Sequence, residues 1–178
     1  MPIEHEHKFV LNPTEELFAK MKDNYNPGFL ITQFYVSDAA RYRQILTKPD
    51  STFGAEWVFA HKMAVDHDVL EHEIGVPHSD FMLAQKRALG TLYKIRFKAG
   101  GGWDVDFFLD GPHGFGQIYF AMAECEHTRG TSYEILPIIK DEILYAVPEE
   151  FASAFSNRKL TDIAYTRKIL AEIRSSQG

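Results

Sequence analysis

Charge, rather than hydrophobicity, alternates in this chain, and that pattern limits its folds more than any other feature. Residues two apart on a β-strand share a face. Glu4-His-Glu6-His-Lys8 therefore sends Glu4, Glu6 and Lys8 one way, and His5, His7 and Phe9 the other. The pattern returns at Arg41-Tyr-Arg43, Glu71-His-Glu73, Lys94-Ile-Arg96, Asp104-Val-Asp106 and Glu124-Cys-Glu126. One such stretch is what a solvated edge strand looks like. Like charges on one strand face repel, however, and solvated surfaces intersperse the two signs. Ordered same-sign doublets fit a concave interior better, one in which acidic strands hold cations and basic strands hold an anion. A β-barrel with charges scattered over its surface does not account for them.

A chain of 178 residues fits one domain, spanning 1–178, that can bury a core or close a barrel of moderate size. Its 14 Phe and 8 Tyr favour sheet-rich packing. The formal charge of −6 excludes a basic coat for nucleic acid or anionic membrane, while leaving room for a basic cavity inside an acidic shell. Cys125 is the lone cysteine, so no intramolecular disulfide and no cysteine-rich zinc site can form, which is compatible with a reducing compartment. Neither a signal-peptide pattern nor an apolar run of spanning length is present. The expectation is a cytoplasmic protein, monomer or homodimer, with no nucleic-acid or membrane partner.

The local patterns order the elements. Asn12 or Thr14 caps a helix with Glu15 and Glu16 in its first turn, and Asn26-Pro27-Gly28 follows it. Strands are expected over 29–36 and 41–47 as a hairpin, then over 56–63 and 69–76. Ser79 is the expected cap of a short helix stopped by Gly90, and Gly100-Gly101-Gly102 turns strand 91–99 back into 103–109. A long strand over 117–127 precedes helical stretches at 137–145 and 148–155 and a closing helix over 160–174. About eight strands with few helices make a mainly β (α+β) chain, an antiparallel barrel. Alternation turns His5, His7 and His72 away from the charged side, buries Cys125 as a packing residue and makes Trp103 a core anchor.

If the strands close, the inward positions include Glu4, Glu6, Lys8, Arg41, Arg43, Lys62, Glu71, Glu73, Lys94, Arg96, Asp104, Asp106, Glu124 and Glu126. Unpaired buried charges cost several kcal/mol each, so such an interior is expected to hold water, ions and ligand rather than a dry core. Oxygen ligands favour Mg²⁺ or Mn²⁺, and Arg and Lys favour phosphate oxygens. Acids, metal and bases together point to a polyphosphate.

At these residues the chain resembles the CYTH family, the triphosphate tunnel metalloenzymes. The family's N-terminal Glu-x-Glu-x-Lys is met by Glu4, Glu6 and Lys8. Arg41 and Arg43, Lys62, the Glu-x-Glu before Val76-Pro77, Lys94-Ile-Arg96, Trp103-Asp104-Val105-Asp106 and Ala123-Glu124-Cys125-Glu126 follow in the family's order. The resemblance covers Ile3 to about Tyr165, and the order of these sparse motifs is more specific than any one of them. One departure stands out: Asp68-Val69-Leu70 occupies the place where many members carry a basic residue before the middle Glu-x-Glu.

The resemblance implies an eight-stranded antiparallel β-barrel tunnel with a few flanking helices, and Mg²⁺- or Mn²⁺-dependent chemistry on a small-molecule triphosphate. It implies that Glu4, Glu6, Asp106, Glu124 and Glu126 hold the metal, and that Lys8, Arg41, Arg43, Lys62, Lys94, Arg96 and Arg158 hold the phosphates. Glu4, Glu6, Lys8 and Glu126 are the implied catalytic set. The expected activity is hydrolysis of the terminal phosphoanhydride of inorganic triphosphate or of a nucleoside or organic triphosphate. The alternatives are a class IV-type adenylate cyclase making cAMP and pyrophosphate, and a tunnel that binds nucleotide or polyphosphate without turnover.

Overall fold

The computed structural model describes residues 4–47, 54–65, 68–128 and 131–177. In chain order the elements are β1 (Glu4–Leu11), α1 (Glu15–Asn24), β2 (Phe29–Tyr35), β3 (Ala40–Leu46), β4 (Ala55–Val65), β5 (Asp68–Gly75), α2 (His78–Gln85), β6 (Gly90–Gly100), β7 (Trp103–Leu109), β8 (Ile118–Thr128), β9 (Ile143–Val147), α3 (Asn157–Leu160) and α4 (Ile163–Ser176). All nine strands join one antiparallel sheet in the order β5-β4-β3-β2-β6-β7-β8-β1-β9. Among the described residues that sheet is open: β5 and β9 each pair on one side only. The expected closed barrel of eight strands is thus a nine-stranded sheet with two edges.

The additional strand is β9, in a stretch expected to be helical. Only Lys140–Glu142 forms a 3₁₀ turn there, after which Ile143-Leu-Tyr-Ala-Val147 pairs with Lys8–Leu11 of β1. A short β-prone run beside an unpaired edge gains ladder hydrogen bonds that an isolated turn of helix cannot. Glu149–Phe155 is a 3₁₀ segment, and the closing helix is two helices, α4 starting after Asp162, which accepts from the Tyr165 amide at 3.0 Å. No helix among the described residues is long and apolar enough to cross a membrane.

Thr14 caps α1 as expected, accepting from the Leu17 amide at 3.1 Å. Ser79 does not cap α2: the N-cap position is Pro77, and the Ser79 hydroxyl turns to Asp80 Oδ1 at 3.2 Å. That helix ends at Gln85, before Gly90, which opens β6 instead. The β6–β7 turn requires its glycines. Gly100, Gly101 and Gly102 have φ of +77°, +59° and +81°, and a Cβ on Gly102 would collide with the Glu126 carbonyl of β8.

Two cores lie on opposite faces of the sheet. On one face, Phe9, Phe97, Trp103, Val105, Phe107, Ala123 and Cys125 pack against Leu17 and Met21 of α1 and against Ile139. Trp103 is anchored there through its indole N–H to the Glu134 carbonyl at 3.1 Å, and Cys125 is fully buried. His7 belongs to this side, its ring stacked on His127 with centroids 4.9 Å apart. The opposite face is divided. Val10, Leu92, Phe108, Phe120 and Met122 form its apolar part beneath Phe155, Leu160, Leu170 and Ile173 of the C-terminal helices. The charged doublets occupy the rest, so the expectation of a wholly wet interior holds for only part of this face.

Candidate functional site

Directly opposed residues in an antiparallel ladder project from the same face, so register tests the sharing of a side. Glu6 opposes Glu126, Lys8 opposes Glu124, and Glu124 opposes Asp104. Asp106 opposes Arg96, Arg43 opposes Gln33, and Arg41 opposes Ala60, which opposes Glu73. Lys62 opposes Glu71. The doublets from six strands therefore converge on one side of one sheet. Glu4 lies in β1 opposite Thr128, but its side chain is outside the described residues, as is that of His5.

The charges form two groups. On β1, β6, β7 and β8 the centre is Asp106, which is 0% exposed. Arg96 donates to it through Nε at 2.7 Å and Nη2 at 2.7 Å, and Lys94 Nζ approaches at 2.6 Å. Arg96 also reaches Asp104 at 2.6 Å and Glu124 at 3.2 Å. Lys8 bridges Glu124 at 3.0 Å and Glu6 at 3.2 Å. The second group spans β3, β4 and β5. Arg41 donates to Glu71 and Arg43 to Glu73, with Arg41 also 3.9 Å from Glu73 and Lys62 3.4 Å from Glu71.

Electrostatics follow from this packing. Burial would raise the Asp106 carboxyl, but Arg96 and Lys94 outweigh it and hold the group well below the usual range. Burial works the same way on Glu124, and Lys8 and Arg96 more than offset it, so its pKa is lowered. Lys94 goes down to about 8, chiefly by burial and then by the neighbouring Arg96. Arg43 is also lowered, by burial and by Arg41.

Below about pH 8 the fold holds a disfavoured buried ammonium at Lys94; from there to 10.5 the folded chain releases that proton while the unfolded chain keeps it. Stability should therefore rise through this window by about 3 kcal/mol relative to Lys94→Met. Chemical unfolding of both proteins at several alkaline pH values checks this; parallel profiles would refute it.

Gln33 and Tyr35 lie on β2, the strand between the two groups, and belong to no charged doublet of the sequence. Gln33 is 1% exposed, and its Nε2 donates to the Tyr35 hydroxyl at 2.8 Å. Arg41 acts on that same hydroxyl, and the Arg158 guanidinium lies over the Tyr35 ring at 5.6 Å. The available signal was a glutamine in the middle of an apolar strand. Helix α3 brings Arg158 to this margin together with Asn157, whose Oδ1 is 3.5 Å from Lys94 Nζ. Lys8 and Lys94 are buried and tied to carboxylates, whereas Lys62 is half-exposed.

Arg41 Nε and Arg43 Nε are buried without an acceptor among the described residues. Such donors are costly to leave unpaired, and two guanidinium forks side by side match the oxygens of a phosphate chain. A cleft of about 570 Å³ lined by Val36, Tyr42, Asp80, Leu83, Ala84 and Arg87 is not this site, since Tyr42 alternates with the two arginines.

No family model matches the chain, and no curated protein matches it. Among solved structures it is similar to a conserved hypothetical protein from Pyrococcus furiosus, at 18% identity and a TM-score of 0.41, over 70% of this chain and 78% of that one. It is also similar to a Hippeastrum protein named as a candidate adenylyl cyclase and described as having a dominant triphosphatase activity. The identity there is 12% and the TM-score 0.40, over 71% of this chain and 80% of that one.

Proposed function

We propose that the charged face is a triphosphate site and that the protein is a divalent-metal-dependent triphosphatase. Its substrate would be inorganic triphosphate or a nucleoside or organic triphosphate, cleaved at the terminal phosphoanhydride. The observation that carries this reading is the pair of acceptor-less Nε donors on Arg41 and Arg43, on the same face as the carboxylate rows of β1, β7 and β8. The order of motifs shared with the CYTH family supports it.

The donor set fits a hard cation. Glu6 faces Glu126 and Asp104 faces Glu124 across the ladder, and like charges so placed are stabilised by a positive ion between them. Among the described residues no three acids or histidines already form a coordinating group, because Lys8 and Arg96 hold the nearest carboxylates. In this reading Glu6, Glu124 and Glu126, with Glu4, would hold Mg²⁺ or Mn²⁺. Asp106, whose oxygens both accept from Arg96, would act through the cations it fixes, in place of the ligand role expected for it. When bound, the metal supplies Lewis-acid neutralisation of phosphate oxygens.

The remaining work falls to the chain. Arg41, Arg43 and Lys62 bind phosphate oxygens, and Arg158 closes the margin above Tyr35. Arg96, with Lys8 and Lys94 behind it, offsets negative charge building on the leaving diphosphate. Water oxygen bonds to the terminal phosphorus as the bridging P–O bond breaks towards the leaving group, and Glu126 with Glu6 accepts the water's proton.

A panel of tripolyphosphate, nucleoside triphosphates and thiamine triphosphate tests this, with phosphate, pyrophosphate and cyclic nucleotide all quantified. Orthophosphate should appear with Mg²⁺ or Mn²⁺ and stop with a chelator. Folded, metal-supplied protein that releases no phosphate from any of them ends the proposal. Cyclic AMP with pyrophosphate would replace it by the cyclase reading.

A further inference from the structure

Between Arg41 on β3 and Glu73 on β5 lies the whole width of β4. Strands two apart in a sheet are separated by about 10 Å, a gap that only long side chains close, and only over a small residue. The residue between them is Ala60, 1% exposed. The chain thus places two carboxylates within reach of the two arginines. Each arginine gives an Nη2 to one of those glutamates, while both Nε atoms remain without an acceptor among the described residues.

The two acidic groups of the face are held very differently. Asp106 and Glu124 are buried beneath the cations that grip them. The side chains of Glu71 and Glu73 stay 28% and 44% exposed, on a strand at the edge of the sheet. Among the described residues Glu73 contacts no cation besides Arg41 and Arg43. A carboxylate in that position can move into water at little cost, because its solvation is already half complete.

We propose that Glu71 and Glu73 are an internal competing ligand for Arg41 and Arg43, so that an anion enters this site by exchange rather than by addition. This rests on the polyphosphate reading above. Every anion that takes the arginines bears the same displacement cost. Orthophosphate recovers only the arginine contacts. A longer chain also gains the field of Lys62 and Arg96, and stays bound where a short anion does not. After cleavage the glutamates return to the arginines and speed release of the shorter fragments.

The test is calorimetric titration of metal-free wild type, E73Q and E71Q/E73Q with orthophosphate, pyrophosphate and tripolyphosphate, each protein first shown to be folded by circular dichroism and melting. Glutamine keeps the shape and removes the competing charge. The double variant should bind each anion about tenfold more tightly, the scale of one charge-assisted contact, with E73Q in between. If the double variant does not fold, E73Q alone carries the test. Unchanged or weaker affinity in a folded variant overturns the proposal and leaves the glutamates as supports that position the arginines. Tripolyphosphate binding to wild type with no gain in the variants sinks the competitor alone. Binding by the variants but not by wild type supports the competitor, and no binding by any protein overturns it, while the polyphosphate reading stands or falls on the metal-supplied substrate panel.

Discussion

Asp106→Asn is expected to lower the free energy of unfolding by about 3–5 kcal/mol, the range for breaking a buried ion pair from one side. The side chain has no exposure and accepts from Arg96 twice and from Lys94 once. Asparagine keeps the volume, but it leaves two buried cations facing carboxylates that already serve other partners. Because its folded carboxyl is held well below 3.8, Asp106 contributes this stability in full above that pH and loses it as pH falls through the folded value. The deficit of the variant should therefore shrink in acid. Denaturant titrations at neutral and low pH measure both effects, and a neutral-pH loss of less than about 1 kcal/mol would show that Asp106 is not the anchor of the face.

Removing the outer acids should do the reverse: little to the fold and much to turnover. In Glu6→Gln/Glu126→Gln the two positions oppose one another across β1 and β8, and both residues are exposed. The exchange removes the repulsion between facing carboxylates but also the Glu6–Lys8 ion pair at 3.2 Å, so the melting temperature should change little. Triphosphate hydrolysis should fall by about two to three orders of magnitude, the loss typical of a key transition-state electrostatic group. A folded double variant that still turns over at the wild-type rate would take the metal end of the site away from these strands.

The charged face was legible because it is written in period two, and the reading survives every register pair of β1, β3, β6, β7 and β8. The apolar remainder was written in the same period. Lys8 leads to Val10, Asp106 to Phe108, and Glu124 back to Met122 and Phe120, so on β1, β7 and β8 the charged run passes into core residues at the same spacing. What was hidden depends on neighbours remote in sequence. Ile143–Val147 is too short for its period to separate strand from helix, and the free edge of β1 decides it. Tyr35 gains its role only once Gln33, Arg41 and Arg158 surround it. Closure reflects small twists summed over many strands, and no residue pattern encodes that sum.

The packing of Leu160, Leu170 and Ile173 onto Val10, Phe108 and Phe120 has a consequence for traffic. It sets a hydrocarbon border along one side of the charged region. In the proposed reading a phosphate chain would stop at that border, because its oxygens find no donor among apolar side chains.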